Sequence, residues 1–204
     1  MKQLCRLASA LAVLLFVSSC TTPDTRHRMV VSVPEQKMVV LRDGQPIGTY
    51  PVSTSKFAIG DAPGSNGTPL GEMQVATKIG GGAPLGAVFK DRRRTGEVLV
   101  PDAPGRDPVV TRILWLRGLE PQNANAFGRY IYIHGTPEER NIGRPASFGC
   151  VRMRSRDVIQ LYDIVGTGAR VSIVNAPLAA AVPALASPTA RLAGNAPSEA
   201  SAPQ

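Results

Sequence analysis

The chain has 204 residues, of which 43% are hydrophobic, 19% are charged and only 5% are aromatic, and its formal net charge is +8. Its 20 glycines and 18 prolines favour a turn-rich, largely β protein with one main domain. This composition excludes a coiled coil, a collagen-like chain and a protein with several membrane spans. The three cysteines are an odd number and do not indicate a simple disulfide framework.

The first 19 residues have the pattern of an export signal. Two positive charges precede the apolar run 7–17, which is too short to span a bilayer and has the length of a signal core. Small residues lead up to Cys20, an arrangement that resembles the bacterial lipobox and predicts cleavage before Cys20 and a lipid on that residue. An ordinary signal peptide with an incidental Cys20 is the alternative. Residues 20–27 are then the lipidated cysteine and a short tether.

Export and charge together indicate the partners of the mature chain. Loss of residues 1–19 removes two positive charges and no acid, so the net charge falls from +8 to +6. A basic exported domain is attracted to a membrane surface or an anionic cell wall, and export argues against nucleic acid as a partner. Thr22, which follows the lipid anchor, is not an aspartate, the residue type that would signal retention of the lipoprotein short of the outer membrane. We therefore expect lipid anchoring in the cell envelope, on the periplasmic face of the outer membrane in a Gram-negative host.

Residues 28–176 are predicted to form one mainly β domain. Asp43-Gly44 is a tight-turn signal between two strands. After Ser155, a good N-cap, apolar residues recur at helical spacing until Gly166, which predicts a helix. The sum is a β-sandwich with one or two short helices. Strands are expected over residues 28–33, 37–42, 47–53, 72–79, 109–116, 129–134 and 169–174.

Two stretches are predicted to lack regular structure. A long irregular segment begins at Gly80, either as a plain loop or as a mobile flap over a site. The basic run 92–94 within it is expected in a solvated loop, with a wall-contacting patch as the alternative. Residues 177–204 are rich in Ala, Pro and Ser and have no periodic apolar pattern, which predicts a disordered tail.

His134 and Cys150 are the candidate catalytic pair. His134 ends an apolar strand and meets a break at Gly135, so its imidazole is well placed to act on a neighbour. Cys150 lies 16 positions further on, and the loop between them contains Pro and Gly and can fold back. The imidazole can then hold the sulfur as a thiolate or take its proton. After export Cys150 has no disulfide partner, and a small buried apolar residue is the alternative role.

Residues around Cys150 fit the same chemistry. Gly149 lets the backbone approach closely, so amides near Cys150 can point at an oxyanion. Arg152 places a positive charge two residues away, where it could lower the thiol pKa or bind a substrate carboxylate. A surface salt bridge of Arg152 to Asp157 or Glu138 is the alternative. No metal centre is expected, because two ligands are fewer than the four that a structural zinc usually takes, and no cofactor is predicted.

Two segments of this stretch resemble a known family. They are His-Gly-Thr at 134–136 and Ser-Phe-Gly-Cys-Val-Arg-Met at 147–153. Together they are similar to the L,D-transpeptidase catalytic domain, also called the YkuD domain, and the resemblance covers roughly residues 28–175. It implies a β-rich sandwich that acts on the stem peptides of peptidoglycan.

The resemblance also implies a reaction and a role for each residue. Cys150 would attack the carbonyl of the third stem residue, a diamino acid at its L-centre, and release the terminal D-Ala. An amine of another stem would resolve the thioester and give a 3→3 cross-link. His134 would be the general base and then the acid, with its ring oriented by the carbonyl oxygen of Gly135. Ser147 and Gly149 would shape the oxyanion loop.

By the same resemblance, Arg152 would steer the carboxylates of the peptide. Phe148 departs from the family pattern, which often has His before the Gly-Cys pair, and this change bears on acceptor handling. A hydrolase of the same fold, an L,D-carboxypeptidase or endopeptidase, is therefore an alternative. A non-catalytic lipoprotein that binds the cell wall is a third reading, although a binding module has no need of the Cys150 and His134 pair.

Overall fold

Ten β-strands and two short helices build residues 22–185, the part of the chain that the computed structural model describes. Helix α1 spans Ser155–Ile164 and helix α2 spans Leu178–Ala181. The prediction of a mainly β fold with one or two short helices is confirmed. None of the helices in this range is long and apolar enough to cross a membrane. The strands are β1 His27–Ser32, β2 Lys37–Arg42, β3 Gln45–Pro51, β4 Gly71–Ile79, β5 Ala87–Lys90, β6 Arg93–Val98, β7 Val109–Gly118, β8 Tyr132–Gly135, β9 Val151–Met153 and β10 Arg170–Val174.

All ten strands belong to one mixed sheet. Its main path runs β3-β2-β1-β10-β4-β7-β5-β6, and β7 also pairs with β8, which pairs with β9. The pairs β1–β10 and β8–β9 are parallel. Just after β3, Ser53 bridges Arg152 of β9, and the N–H of each donates to the carbonyl oxygen of the other at 2.9 and 2.8 Å. The pairings therefore close into a circuit, from β1 through β2, β3, β9, β8, β7, β4 and β10 back to β1.

The main apolar core lies inside this circuit. Its side chains come from the strands of the circuit and from the face of α1 that carries Val158 and Leu161. Successive residues of a strand face opposite ways, so Met29 and Val31 of β1 join this core while Val30 joins a smaller cluster on the outer face. Burial on both faces explains why β1 and β2 are continuous apolar runs in the sequence.

The prediction of a disordered tail is wrong for residues 177–185. Helix α2 buries Leu178, and Val182 follows it, against the outer apolar face of β1 and β2. The N–H of Leu178 also donates to a carboxylate oxygen of Glu35 at 2.6 Å. The Ala- and Pro-rich composition was misleading because a few aliphatic side chains suffice to cover a small apolar face. The rest of the predicted tail, 186–204, lies outside the described residues.

The sequence predicted an irregular segment after Gly80, and this prediction is wrong for part of the segment. Strands β5 and β6 form a hairpin in which Lys90 pairs with Arg93, so its turn is Asp91-Arg92. Both turn residues have positive φ, 49° and 66°, as a type I′ hairpin turn requires. That turn usually selects Asn and Gly, and its sequence here gave no hairpin signal. The basic run thus forms a hairpin tip and the start of β6 instead of a loop.

The predicted tether is partly attached to the domain. Residues 24–27 run along its surface, and β1 begins within them. Asp24 accepts the N–H of Gly166 at 2.6 Å, and its carboxylate lies 2.9 Å from Nδ1 of His27. The export signal and Cys20 lie outside the described residues.

Candidate active site

His134 lies in β8 and is nearly completely buried, with 5% of its surface exposed. Its Nδ1 donates to the carbonyl oxygen of Gly135 at 2.8 Å, so Nε2 carries the free lone pair. Burial lowers the pKa of His134 to about 4, and the contact with Gly135 opposes this only in part. At neutral pH the imidazole is therefore uncharged and can accept a proton.

A bulge in β7 makes room for this arrangement. The register between β7 and β8 shifts between Val110 and Ile113, and Thr111 between them has a φ of 71°, an unusual value for a β-branched residue. The hydroxyl of Thr111 donates to the first side chain of α1 at 2.8 Å, which fixes the bulge. Opposite the bulge stands Gly135, where a Cβ would lie only 2.7 Å from the carbonyl oxygen of Val110. Glycine at this position permits the close approach of the two strands.

Cys150 directly precedes β9, whose parallel pairing with β8 places it beside the strand of His134. The thiol is partly exposed. It donates to the carbonyl oxygen of Tyr130 at 3.4 Å, and the N–H of Tyr132 donates to Sγ, also at 3.4 Å. Desolvation by the surrounding protein raises the pKa of Cys150 to about 11. The resting thiol is thus protonated at neutral pH, and its hydrogen bond goes to Tyr130.

Side-chain hydrogen bonds shape the turn before Cys150. Ser147 Oγ donates to the carbonyl oxygen of Cys150 at 2.6 Å and accepts the N–H of Gly149 at 3.2 Å. Gly149 has a φ of +118°, and a Cβ there would lie 3.0 Å from the carbonyl oxygen of Gly67, so this position favours glycine. The Thr68 hydroxyl donates to the carbonyl oxygen of Gly149 at 3.0 Å. The backbone next to the thiol is therefore held in one direction.

Arg152 forms a buried ion pair instead of a surface one. Its side chain is 3% exposed, and Nη1 contacts the carboxylates of Asp107 and, at 3.6 Å, Glu138. Glu138 was one of the two partners considered from the sequence. Burial lowers the pKa of Arg152 to about 10, so the guanidinium stays charged at neutral pH. Its Nε and Nη2 have no hydrogen-bond partner among the described residues.

A cavity of about 120 Å³ brings four of the predicted site residues together. His134, Ser147, Cys150 and Arg152 all line it. The two predicted glycines do not line this cavity and support it through their backbone atoms. Within residues 22–185, no group of three or more His, Cys, Asp or Glu side chains could hold a metal ion. The described arrangement offers a nucleophile, a base and a fixed positive charge around one small space.

Asp107 and Val109 also line this cavity and were missed by the sequence analysis. Asp107 binds Arg152 and accepts the hydroxyl of Thr136. It lies in a Pro- and Gly-containing loop that also holds Asp102, and no motif in this loop distinguishes it. Only the burial of Arg152, which demands an acidic partner, could have pointed to it.

Phe148 stands at the mouth of the cavity and is 60% exposed. Its ring centroid lies 5.1 Å from that of Phe57, and Lys56 Nζ lies 4.6 Å from the centroid of Phe148. The position where the family pattern often has an imidazole thus presents an apolar aromatic wall beside a lysine.

Comparison with known proteins places the chain in a family. The model of the L,D-transpeptidase catalytic domain (YkuD) matches residues 26–173. Probable L,D-transpeptidase ErfK/SrfK of Salmonella typhimurium is 30% identical over 165 residues, which cover 76% of this chain and 47% of that protein. For probable L,D-transpeptidase YbiS of Escherichia coli the identity is also 30% over 165 residues, with 78% of this chain and 48% of that protein covered.

The chain spans about half the length of these two curated relatives. The solved structure of an L,D-transpeptidase from Mycobacterium smegmatis aligns with a TM-score of 0.49 and 16% identity, over 73% of this chain and 58% of that one. Because the family model matches most of the chain, this protein belongs to the L,D-transpeptidase (YkuD) catalytic-domain family.

Proposed function

We propose that the chain transfers acyl groups between peptidoglycan stem peptides, with Cys150 as the nucleophile. The observation that supports this most is that Cys150 and His134 line one cavity in a member of the L,D-transpeptidase family. Sγ forms a thioester with the carbonyl carbon of the third stem residue, and the bond to the terminal D-Ala breaks. The amine of a second stem then attacks the thioester, which forms a 3→3 cross-link and restores the thiol.

His134 acts as the general base and then as the acid. An ion pair is disfavoured at rest, because the pKa of the thiol, about 11, lies far above that of the imidazole, about 4. The proton therefore moves to Nε2 as Sγ attacks, and not before. Substrate binding has to turn the thiol proton away from the carbonyl of Tyr130. The imidazolium then protonates the leaving amine of D-Ala.

The turn before Cys150 supplies the oxyanion contact. The N–H of Gly149 is already bonded to Ser147 Oγ, so we assign the contact to the N–H of Cys150 itself. Ser147 and Gly149 are then positioning residues that fix the direction of this N–H. Arg152 lines the same cavity with two unpartnered nitrogen atoms, and we assign it to a carboxylate of the stem peptide.

We also propose that the exported chain carries a lipid on Cys20 and works at the periplasmic face of an outer membrane. The lipobox-like sequence before Cys20 supports this. Since Asp24 is attached to the domain, the free tether between lipid and domain has a reach of only about 14 Å. The domain then stays next to the membrane surface.

Intact-mass spectrometry of the protein with tetrapeptide stems tests the proposed function. We expect the mass of a tripeptide acyl group on Cys150, converted into cross-linked stems when acceptor stems are added. Cys150→Ala is the matched control and should gain no mass, and His134→Ala should slow the gain by orders of magnitude. An adduct that only water releases would assign the chain to the hydrolases instead. No adduct at all would contradict the proposal and favour a wall-binding lipoprotein.

A further inference from the structure

A second cavity, of about 260 Å³, is lined in part by Phe89, Ile113 and Tyr132, which belong to the apolar cluster against which Cys150 packs. The side chains of Tyr130 and Tyr132 line it, and the backbone of these two residues holds Sγ. Val109 lines both cavities. The second cavity is therefore next to the nucleophile, and nothing in the proposed reaction has yet used it.

The second cavity carries two opposite charges at its rim. Asp91 and Arg92, the turn of the β5–β6 hairpin, both line it, over an apolar floor of Phe89 and Ile113. Neither Asp91 nor Arg92 forms an ion pair within the described part of the chain. The positive φ of these two residues is that of the hairpin turn. Tyr130, which also lines the cavity, has a φ of 59°, a costly conformation of the kind that clusters at functional sites.

Aromatic rings hold Arg92 in place. Its guanidinium lies 4.8 Å from the centroid of Tyr130 and 5.1 Å from that of Trp115. Hydrogen bonding to Tyr132 raises the pKa of Arg92. A guanidinium fixed over two rings is ready to bind a planar carboxylate through its remaining donors, while Asp91 beside it can accept an ammonium group.

We propose that this cavity binds the zwitterionic end of a diamino diacid, diaminopimelate, at the third position of the donor stem, with Arg92 on its carboxylate and Asp91 on its ammonium. This inference rests on the proposed function and names a determinant of its specificity. In the thioester, the carbonyl carbon at one of the two centres of this amino acid is bonded to Sγ. Three methylene groups separate the centres, so the free end extends about 6 Å from the thioester carbon, which suits a cavity beside Cys150.

A lysine side chain lacks the second carboxylate and serves as the matched ligand. Its ammonium can still reach Asp91, but it leaves Arg92 without a partner inside the site. A site built around a hydrogen-bonding group discriminates strongly against an analogue that lacks the group. We therefore expect the protein to prefer stems with diaminopimelate, whose second carboxylate is free, over stems with lysine.

Binding of two synthetic tripeptides to the full chain tests this inference without any turnover. The peptides are L-Ala-γ-D-Glu followed by meso-diaminopimelate or by L-lysine, and neither has a D-Ala to release. Trp115 is the only tryptophan of the chain and stacks near Arg92, so its fluorescence reports on the cavity. We expect the diaminopimelate peptide to bind at least tenfold more tightly than the lysine peptide.

Three variants locate the preference. Arg92→Gln should bind the two peptides equally, whereas Asp91→Asn should weaken both, because both carry the ammonium. Arg93→Gln, on the exposed neighbour in the same hairpin, should keep the full preference. Equal binding by the unchanged protein, or a preference that survives in Arg92→Gln, would overturn the inference.

Release of D-Ala from the matching tetrapeptides reports on the proposed function separately. A tripeptide preference without D-Ala release would refute acyl transfer and leave the binding site standing. D-Ala release without a preference would refute the binding site alone.

Discussion

Cys150 and His134 are both uncharged at rest, for one physical reason. Desolvation penalises the charged form of each group, so it raises the pKa of the thiol and lowers that of the imidazole. If Cys150 acts as proposed, its thiol is inactive until a substrate aligns the thiol proton with Nε2. The reaction rate would then depend on substrate binding more than on a thiolate that is already present at rest.

Alkylation of Cys150 by iodoacetamide should therefore be slow at neutral pH. A pKa raised from 9.0 to about 11 leaves about a hundredfold less thiolate at pH 7 than in an unperturbed thiol. The rate at Cys150, followed by mass spectrometry of its peptide, should keep rising with pH to about 11. A rate that levels off below pH 8 would show a preformed thiolate and contradict the general-base step.

Burial of His134 also makes stability depend on pH. Its pKa is about 4 in the folded protein and 6.5 when unperturbed, so the unfolded chain binds more protons between these values. The free energy of unfolding should fall as the pH drops from about 6.5 to about 4, by on the order of 3 kcal/mol. In His134→Gln, the carboxylates still titrate but this contribution is absent. Equal pH dependence of both proteins in denaturant titrations would refute it.

Asp107 should matter for stability as well as for the site. Asp107→Asn leaves buried Arg152 with Glu138 as its single acidic partner, and breaking a buried ion pair costs about 3–5 kcal/mol. We expect a loss toward the lower end in urea denaturation, because Asp107 is 20% exposed. Asp102→Asn, in the same loop but paired with exposed Arg140, is the control and should change stability by under about 1 kcal/mol.

At the scale of single residues, the sequence predicted the candidate catalytic residues whose side-chain type alone indicates a reactive group. The only thiol of the predicted mature domain and the only strand-end histidine stood out, and the structure sets them around one cavity. The burial of Arg152 and its pairing with Asp107 depend on strand packing between distant segments. No local pattern records such packing.

Helix α2 shows how a short element can stabilise a sheet. It covers the outer apolar face of β1 and β2 with Leu178 and Val182. A chain that ends at residue 176 should lose about 3–5 kcal/mol of unfolding free energy, as expected for exposing two such side chains and the face beneath them. A chain that ends at residue 185 should match the full chain in the same denaturation assay. Equal stability of both truncations would refute this role.

Most of the strands were predictable from the sequence, and those that lie within two residues of their predicted bounds are β1, β2, β3, β4, β7 and β10. Strand β3 is among them although it is largely exposed, because the Asp43-Gly44 turn signal precedes it. The sequence did not predict the β5–β6 hairpin, because β6 is largely exposed and the turn of the hairpin lacks glycine. The prediction of Ser155 as the N-cap of helix α1 is wrong by one residue, because Ser155 is the first residue of the helix and Arg154 is its N-cap. The N–H of Ser155 donates to the carboxylate of Glu139.

At the scale of the whole molecule, the closed circuit places the attached tether and Cys150 at opposite positions round the sheet. Asp24 is attached next to Gly166, just before β10, while Cys150 just precedes β9. Strands β9 and β10 are four steps apart in either direction round the circuit. With the proposed lipid on Cys20, the membrane would adjoin the side of the circuit opposite Cys150.

The bridge between Ser53 and Arg152 that closes the circuit also has a kinetic meaning. The two residues are far apart in the chain, and contacts of such separation form late and slowly during folding. Strand β9 is only three residues long and depends on this bridge for one of its two edges. A newly made chain should therefore gain the proposed nucleophile only when folding is complete, so the proposed reaction with a stem peptide would not begin in partly folded molecules.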